Sequence, residues 1–376
     1  MGEASVPEVQ EFLNTLGICL DDVIRHCNGN FKLGVKFVDF YKPGHTFYHP
    51  FGASDTESLE LEYMMQNNRI PDSLLTDYHD LASHFDVRLL TAYLDNYFNK
   101  FNNLTIKREY VADLSTVADN FVVDCTGFSK SFINQLMPDN FVSLTKIIPN
   151  DQVYVYRADY VNKAEQQMPY TTMIAQEHGW IWNIPLADKI TYGYVHSSQY
   201  DVKQDFINYV QSIVGSIDES KVNLVPMTTG RNKVHIMHTD KTVCSVGLSS
   251  CFIEPLEATG LYLTVFGIRL LGEYINNNIT DEQYNATYNS EFDAVVDFVA
   301  AHYKYSTRDN DYWDHYGNIP IELYRPNGIF PNRSWEYIMA GFTEQPRELK
   351  IKAESILKLR KGLPFNEWMK NAGYTT

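Results

Sequence analysis

The sequence predicts a mixed α/β (α+β) protein with an antiparallel β meander in its middle third and a helical C-terminal region. Three observations carry this. From Gln152 to Ser198, the runs VYVYRADYV, YTTMIAQ, GWIWNIPL and ITYGYVHS follow one another at short intervals, as antiparallel neighbours do. Upstream, helical and strand-like patterns are interspersed. Downstream, a long apolar helix, roughly Ala258 to Ile275, opens a stretch of helices and loops.

Taken in order, Ser5-Val6-Pro7-Glu8 is a capping-box pattern with proline in the first turn. Val9, Phe12, Leu13 and Leu16 follow at helical spacing, and Gly17 closes the helix. A short helix from Leu20 to Cys27 ends at Asn28-Gly29. Phe31 to Tyr41 reads as one strand, with Phe31, Leu33, Val35 and Phe37 on one face and Lys32, Gly34 and Lys36 on the other. Asp86 to Phe101 reads as a helix, and Asn120 to Cys125 as a buried strand running into Thr126-Gly127. Thr242 to Leu248 is a second buried strand, leading through SSCFIEPLEATG into the long helix. No internal repeat or low-complexity linker interrupts the chain.

Composition narrows the function. The chain has 376 residues, 44% hydrophobic and 21% charged, with 26 Tyr and 21 Phe, enough to bury a sizeable core. A net charge of −16 argues against a nucleic-acid partner and a polybasic membrane surface. The longest uncharged apolar-leaning run, Thr242 to Ile253, is too short to span a bilayer. No secretory leader pattern opens the sequence. Five scattered cysteines without a CxxC pair read as reduced thiols of a cytoplasmic protein. His45 and His49 lie four apart in a stretch that does not favour helix, so no metal site is expected.

Three stretches carry the candidate chemistry. In GWIWNIP, alternation puts Trp180, Trp182 and Ile184 on one face, and Pro185 marks a strand end. That face is either ordinary core or a rigid aromatic wall. In GLSSCFIEPLEATG a strand ends in small residues and a helix starts near Thr259-Gly260. Its free N–H groups suit an anion, while Glu257 just ahead of it reads equally as an ordinary cap. In NGNFKLGVKF, Lys32 is either an edge lysine in water or a lysine beside a space that Gly34 leaves for a ligand.

Taken together these stretches resemble the flavin-dependent tryptophan halogenases. GEASVP at Gly2 to Pro7, NGNFKLGVKF, FYHPFG at Phe47 to Gly52, VVDCTGF at Val122 to Phe128, GWIWNIP and GLSSCFIEPLEATG resemble that family's motifs and stand in the same order. The resemblance implies a truncated FAD-dependent monooxygenase/halogenase-like fold: a flavin module over 1–300 and a shortened helical substrate-side region over 301–376. It implies that Lys32 and Glu257 are catalytic, that Thr259 and Gly260 bind halide, and that His49 and Phe51 line the substrate site. Gly2, Glu3, Ala4, Val111, Trp180, Trp182, Leu248 and Leu261 fall on the flavin side. By the same resemblance, FADH2 from a separate flavin reductase, with O2, oxidises halide to hypohalous acid. Lys32 and Glu257 then deliver it to an electron-rich arene, with Glu257 orienting the electrophile and accepting the ring proton.

The sequence departs from the family in four places. It contains no GxGxxG, so the first βαβ unit, which holds the ADP half of FAD, is expected to be missing. Weak flavin retention and an uncovered sheet edge that favours a homo-oligomer follow. Ala258 stands where the family often has serine. The segment between Trp313 and Ser334, with Pro320, Pro326, Gly328 and Pro331, is too short for a tryptophan-clamping insert, and Gly52 to His84 looks trimmed. An open site of broad scope, not specific for tryptophan, is therefore expected. The competing readings are an FAD-dependent aromatic hydroxylase, and a degenerate, non-catalytic relative that binds an aromatic molecule or a partner.

Overall fold

The computed structural model describes residues 1–317, 328–344 and 351–375. A seven-stranded sheet holds the centre. Across it run Asn223–Pro226, Gln152–Asp159, Lys189–His196, Gly179–Pro185, Thr171–Gln176, Gly34–Val38 and Thr46–Pro50. All neighbours are antiparallel except Gly34–Val38 beside Thr171–Gln176. The links after Gln176 and Pro185 are too short for a crossover, so the meander can only double back. Register places Trp180 opposite Val195, Trp182 opposite Gly193 and Ile184 opposite Thr191. Both indoles are buried on the face that looks into the main core.

Three smaller sheets surround this one: Gly2–Ala4, Ala82–Asp86 and Asn30–Lys32; Cys251–Phe252, Gly230–Asn232 and Phe141–Ser143; and Ile236–His238, Thr242–Ser245 and Phe121–Asp124. The expected strand from Phe31 to Tyr41 is therefore two strands in two sheets. Leu33 is the switch, its amide donating to the Pro169 carbonyl at 2.7 Å. The space beside Gly34 is not open to a ligand, because a Cβ there would collide with the His49 carbonyl of the adjacent strand. Glycine is required by that close approach of backbones.

Two other local expectations need correction. Ser5 does not cap the first helix, Pro7–Thr15, whose N-cap is Val6 without a side-chain bond. The Ser5 hydroxyl instead lies 3.1 Å from the Ser83 carbonyl and accepts from the Ser83 amide at 3.0 Å. Phe121–Asp124 is only half buried, since Phe121 and Val123 are exposed. It borders Thr242–Ser245 in parallel and forms that sheet's edge.

Helix Thr259–Ile275 packs on Asp281–Lys304, where Tyr288 and Tyr284 donate to the Leu263 and Gly267 carbonyls at 2.9 and 3.1 Å. Asp281–Lys304 runs past residue 300 and delivers Phe298 and His302 to the interior. The C-terminal helix Phe365–Asn371 returns to the first strands, with Trp368 edge-on to Phe31 at 5.4 Å. Among the described residues no helix is long and apolar enough to cross a membrane.

Candidate active site

The turn after Cys251–Phe252 is strained. Glu257 and Ala258 both adopt left-handed backbone, at φ 62° and 59°, a conformation that costs an L-residue about 1–2 kcal/mol. The turn sends neighbours in opposite directions. Ala258, Gly260 and Leu261 line one cavity, while Glu257 points the other way, fully buried, with Oε1 at 2.9 Å from His49 Nδ1 and 3.2 Å from His302 Nε2. Burial alone would raise its carboxyl, but the His49 and His302 imidazoles outweigh that and hold it well below the ordinary carboxylate range. Glu257 Oε2 and Thr259 Oγ1 are buried without a hydrogen-bond partner. Each such atom costs about 1–3 kcal/mol, and two in one turn point to a place built for something else to bind.

Lys32 is the last residue of its short strand and is completely buried. Its ammonium donates to the Ser5 carbonyl at 2.9 Å and sits 4.9 Å above the centre of the Phe51 ring. Phe51 is fixed in turn by its amide, bonded to the Leu33 carbonyl at 2.9 Å. Burial draws the Lys32 pKa down to about 8 despite the opposing pull of Glu257 and Glu3. A lysine used only for solubility would reach water; this one is held dry, with its pKa drawn down by burial.

Two cavities flank this pair. The larger, about 270 Å³, is apolar and walled by Trp180, Trp182 and Ile184 on one side, by the Gly2-Glu3-Ala4 strand on another, and by Leu248, Gly260 and Leu261. The Trp182 ring lies flat over Gly193, where any Cβ would collide with it. The indole Nε1 of Trp182 has no partner. The smaller cavity, about 80 Å³, is lined by His49, Phe51, Glu8, Phe330 and Arg333 among others. Phe330 stacks on Phe298 at 3.7 Å.

The structure thus gathers Lys32, Glu257, Thr259, Gly260, His49 and Phe51 around one turn, and Gly2, Glu3, Ala4, Trp180, Trp182, Leu248 and Leu261 around the larger cavity. It does not bring Val111 there. Val111 lies in an irregular, largely exposed stretch and lines neither cavity. Sequence reading missed His302, for which the only signal was Phe298 and His302 four apart on an apolar helix. It also missed Gly193 and a buried cluster in which Asn150 and Tyr303 donate to Glu254. Burial raises the Glu254 carboxyl to about 7 despite those bonds.

Lys32 and Glu257 are thus both fully buried and feel one another electrostatically, beside residues that line the two cavities. A family model described as tryptophan halogenase matches residues 1–95 and 99–356. The chain belongs to the tryptophan halogenase family and is, by class, a flavin-dependent halogenase. It is 26% identical to tryptophan 6-halogenase ThaL of Streptomyces albogriseolus over 376 residues, covering 83% of this chain and 70% of that protein. It is also 26% identical to tryptophan 7-halogenase RebH of Lentzea aerocolonigenes over 379 residues, with the same coverage, 83% and 70%. The fold matches Xcc4156, a flavin-dependent halogenase from Xanthomonas campestris, at a TM-score of 0.83 and 21% identity, covering 100% of this chain and 90% of that one. BrvH, a flavin-dependent halogenase from Brevundimonas sp. BAL3, follows at 0.80 and 22%, covering 100% and 92%.

Proposed function

We propose that this chain halogenates compact electron-rich arenes, and that Lys32 and Glu257 deliver the electrophile. The observation that carries the reading is the fully buried Lys32 and Glu257, with the orphaned Glu257 Oε2 and Thr259 Oγ1 in the same turn. The larger cavity suits the FAD ring: it is apolar, walled by two indoles, and lined on another side by the Gly2–Ala4 strand. Gly2, Glu3, Ala4, Trp180, Trp182, Leu248 and Leu261 would hold it. When bound and reduced, by a separate flavin reductase, it supplies with O2 the two-electron oxidation of halide to hypohalous acid.

Everything else falls to this chain's residues. Thr259 Oγ1 and the amides of Thr259 and Gly260, at the start of Thr259–Ile275, offer donors to a halide. Trp180 and Trp182 wall that side off from an organic substrate. Lys32 holds the hypohalous acid by hydrogen bond or as a haloamine, and a pKa of about 8 leaves part of it neutral and nucleophilic near neutral pH. Glu257 Oε2 orients the electrophile toward an arene against His49 and Phe51.

ThaL and RebH are named for tryptophan, but the about 80 Å³ of the His49–Phe51 cavity among the described residues supports smaller arenes. The stretch with Pro320 and Pro326, taken above as too short for a clamp, lies outside the described residues. Phenols, anilines and indoles, with bromide or iodide ahead of chloride, are the proposed scope. The thiols are all free, which suits a reducing cytoplasm. The exposed edge at Phe121–Asp124 supports a homo-oligomer. Mass spectrometry of an arene panel with FAD, a reductase and each halide tests the reading. Halogenated products that vanish in Lys32→Ala support it; products that persist there would mean freely diffusing hypohalous acid.

A further inference from the structure

The contacts of Glu257 decide where the proton displaced from the arene goes. His302 Nδ1 faces the Phe298 carbonyl at 2.8 Å. A carbonyl only accepts, so Nδ1 carries a hydrogen. His302 Nε2 then faces Glu257 Oε1 at 3.2 Å. Two lone pairs cannot bond, so a proton also lies between these two atoms. Glu257 is held ionised, so the proton sits on the His302 side and the negative charge of Glu257 is already matched. The second contact on Oε1 comes from His49 Nδ1 at 2.9 Å, which by the same reasoning donates. In its neutral form, the state this step requires, His49 then keeps Nε2 as a lone pair. It has no bond to any described residue, and His49 lines the small cavity.

We propose that His49 is a further catalytic residue: its Nε2 takes the proton from the halogenated ring, with Glu257 and His302 as positioning residues that set its tautomer. This deepens the halogenase reading and rests on it. In the step, the arene π pair forms the carbon–halogen bond and the O–X bond of hypohalous acid (or N–X of a protonated Lys32 haloamine, –NH2X+) breaks, leaving hydroxide or the neutral amine. The ring C–H bond then breaks. Its electron pair restores the aromatic sextet, and its proton goes to His49 Nε2. The resulting imidazolium keeps its Nδ1 hydrogen bond to Glu257 Oε1. The charged and titratable groups around it are Glu257 on the strained turn, His302 on Asp281–Lys304, Lys32 on its strand, Glu254 beside His302, and Glu8, Asp80 and Arg333 at the cavity. Phe51, Phe298 and Phe330 pack against the ring itself.

Two measurements test this. Nitrogen NMR of histidine-labelled protein is expected to show His49 neutral with its proton on Nδ1. Finding His49 as imidazolium, or with its proton on Nε2, overturns the proposal whatever the enzyme halogenates. His49→Asn keeps a donor toward Glu257 and removes the lone pair. It should slow halogenation by roughly 100-fold and expose a several-fold primary isotope effect with ring-deuterated substrate that the wild type lacks. A merely structural role would slow the variant without that isotope effect, and that result overturns the assignment. An isotope effect in Glu257→Gln but not in His49→Asn gives the base role to Glu257 Oε2 and does the same. Absence of halogenation by wild type, with His49 in the expected tautomer, removes the halogenase reading and this step with it.

Discussion

Replacing Lys32 by methionine should stabilise the protein while abolishing halogenation. Lys32 is fully buried and its pKa falls from the usual 10.5 to about 8. At about 1.4 kcal/mol per pKa unit, its charged form costs the folded state roughly 3 kcal/mol. Methionine keeps the length, removes the charge and leaves the Ser5 carbonyl without its donor, a loss of about 1 kcal/mol. The variant should gain roughly 2 kcal/mol at neutral pH. Between the folded value, about 8, and the unfolded value, 10.5, the unfolded chain binds the extra proton, so wild-type stability rises with pH across that window. The advantage of methionine should therefore be complete below about pH 8 and gone by about pH 10.5. Denaturant unfolding of both proteins from neutral pH upward measures it. A variant less stable than wild type at pH 7, or a difference that does not change with pH, would refute the reasoning.

Three further outcomes follow from the geometry. Gly193→Ala should displace the Trp182 ring, lowering stability by about 1–3 kcal/mol and weakening FAD binding. The added Trp182→Ala change should recover much of the stability, which a double-mutant cycle by unfolding and flavin titration would show. Ala258→Gly removes one left-handed L-residue and should raise stability by about 1 kcal/mol while lowering kcat, as the Glu257 turn loses rigidity. In competition, compact phenols and anilines should outpace free tryptophan; a single tryptophan regioisomer as the dominant product would contradict the proposed scope.

Local chemistry made much of this legible in sequence. GWIWNIP alternates, and the sheet keeps that alternation, so the two indoles share a face as read. The helix after Glu257 starts within one residue of its expected position, because small residues and a proline leave few other starts. What sequence could not show arises from contacts made at a distance. Leu33 switches sheets because Ala82–Asp86 competes for the residues before it, and Gly34 answers to the His49 carbonyl from another strand. The left-handed pair Glu257-Ala258 has no glycine to announce it. His302, 45 positions after Glu257, meets it only through the packing of Asp281–Lys304. Val111 was placed by resemblance alone, and its segment makes no contact that would hold it at the cavity.

The central claim is that Lys32 and Glu257 control an electrophilic halogen inside the protein. The most direct measurement is a single-turnover reaction with reduced FAD, O2 and bromide, followed by mass spectrometry of an added arene in wild type, Lys32→Ala and Glu257→Gln. The account predicts brominated arene from wild type alone, with oxygen consumed by all three. Equal bromination by the variants, or a hydroxylated arene from wild type, would contradict it.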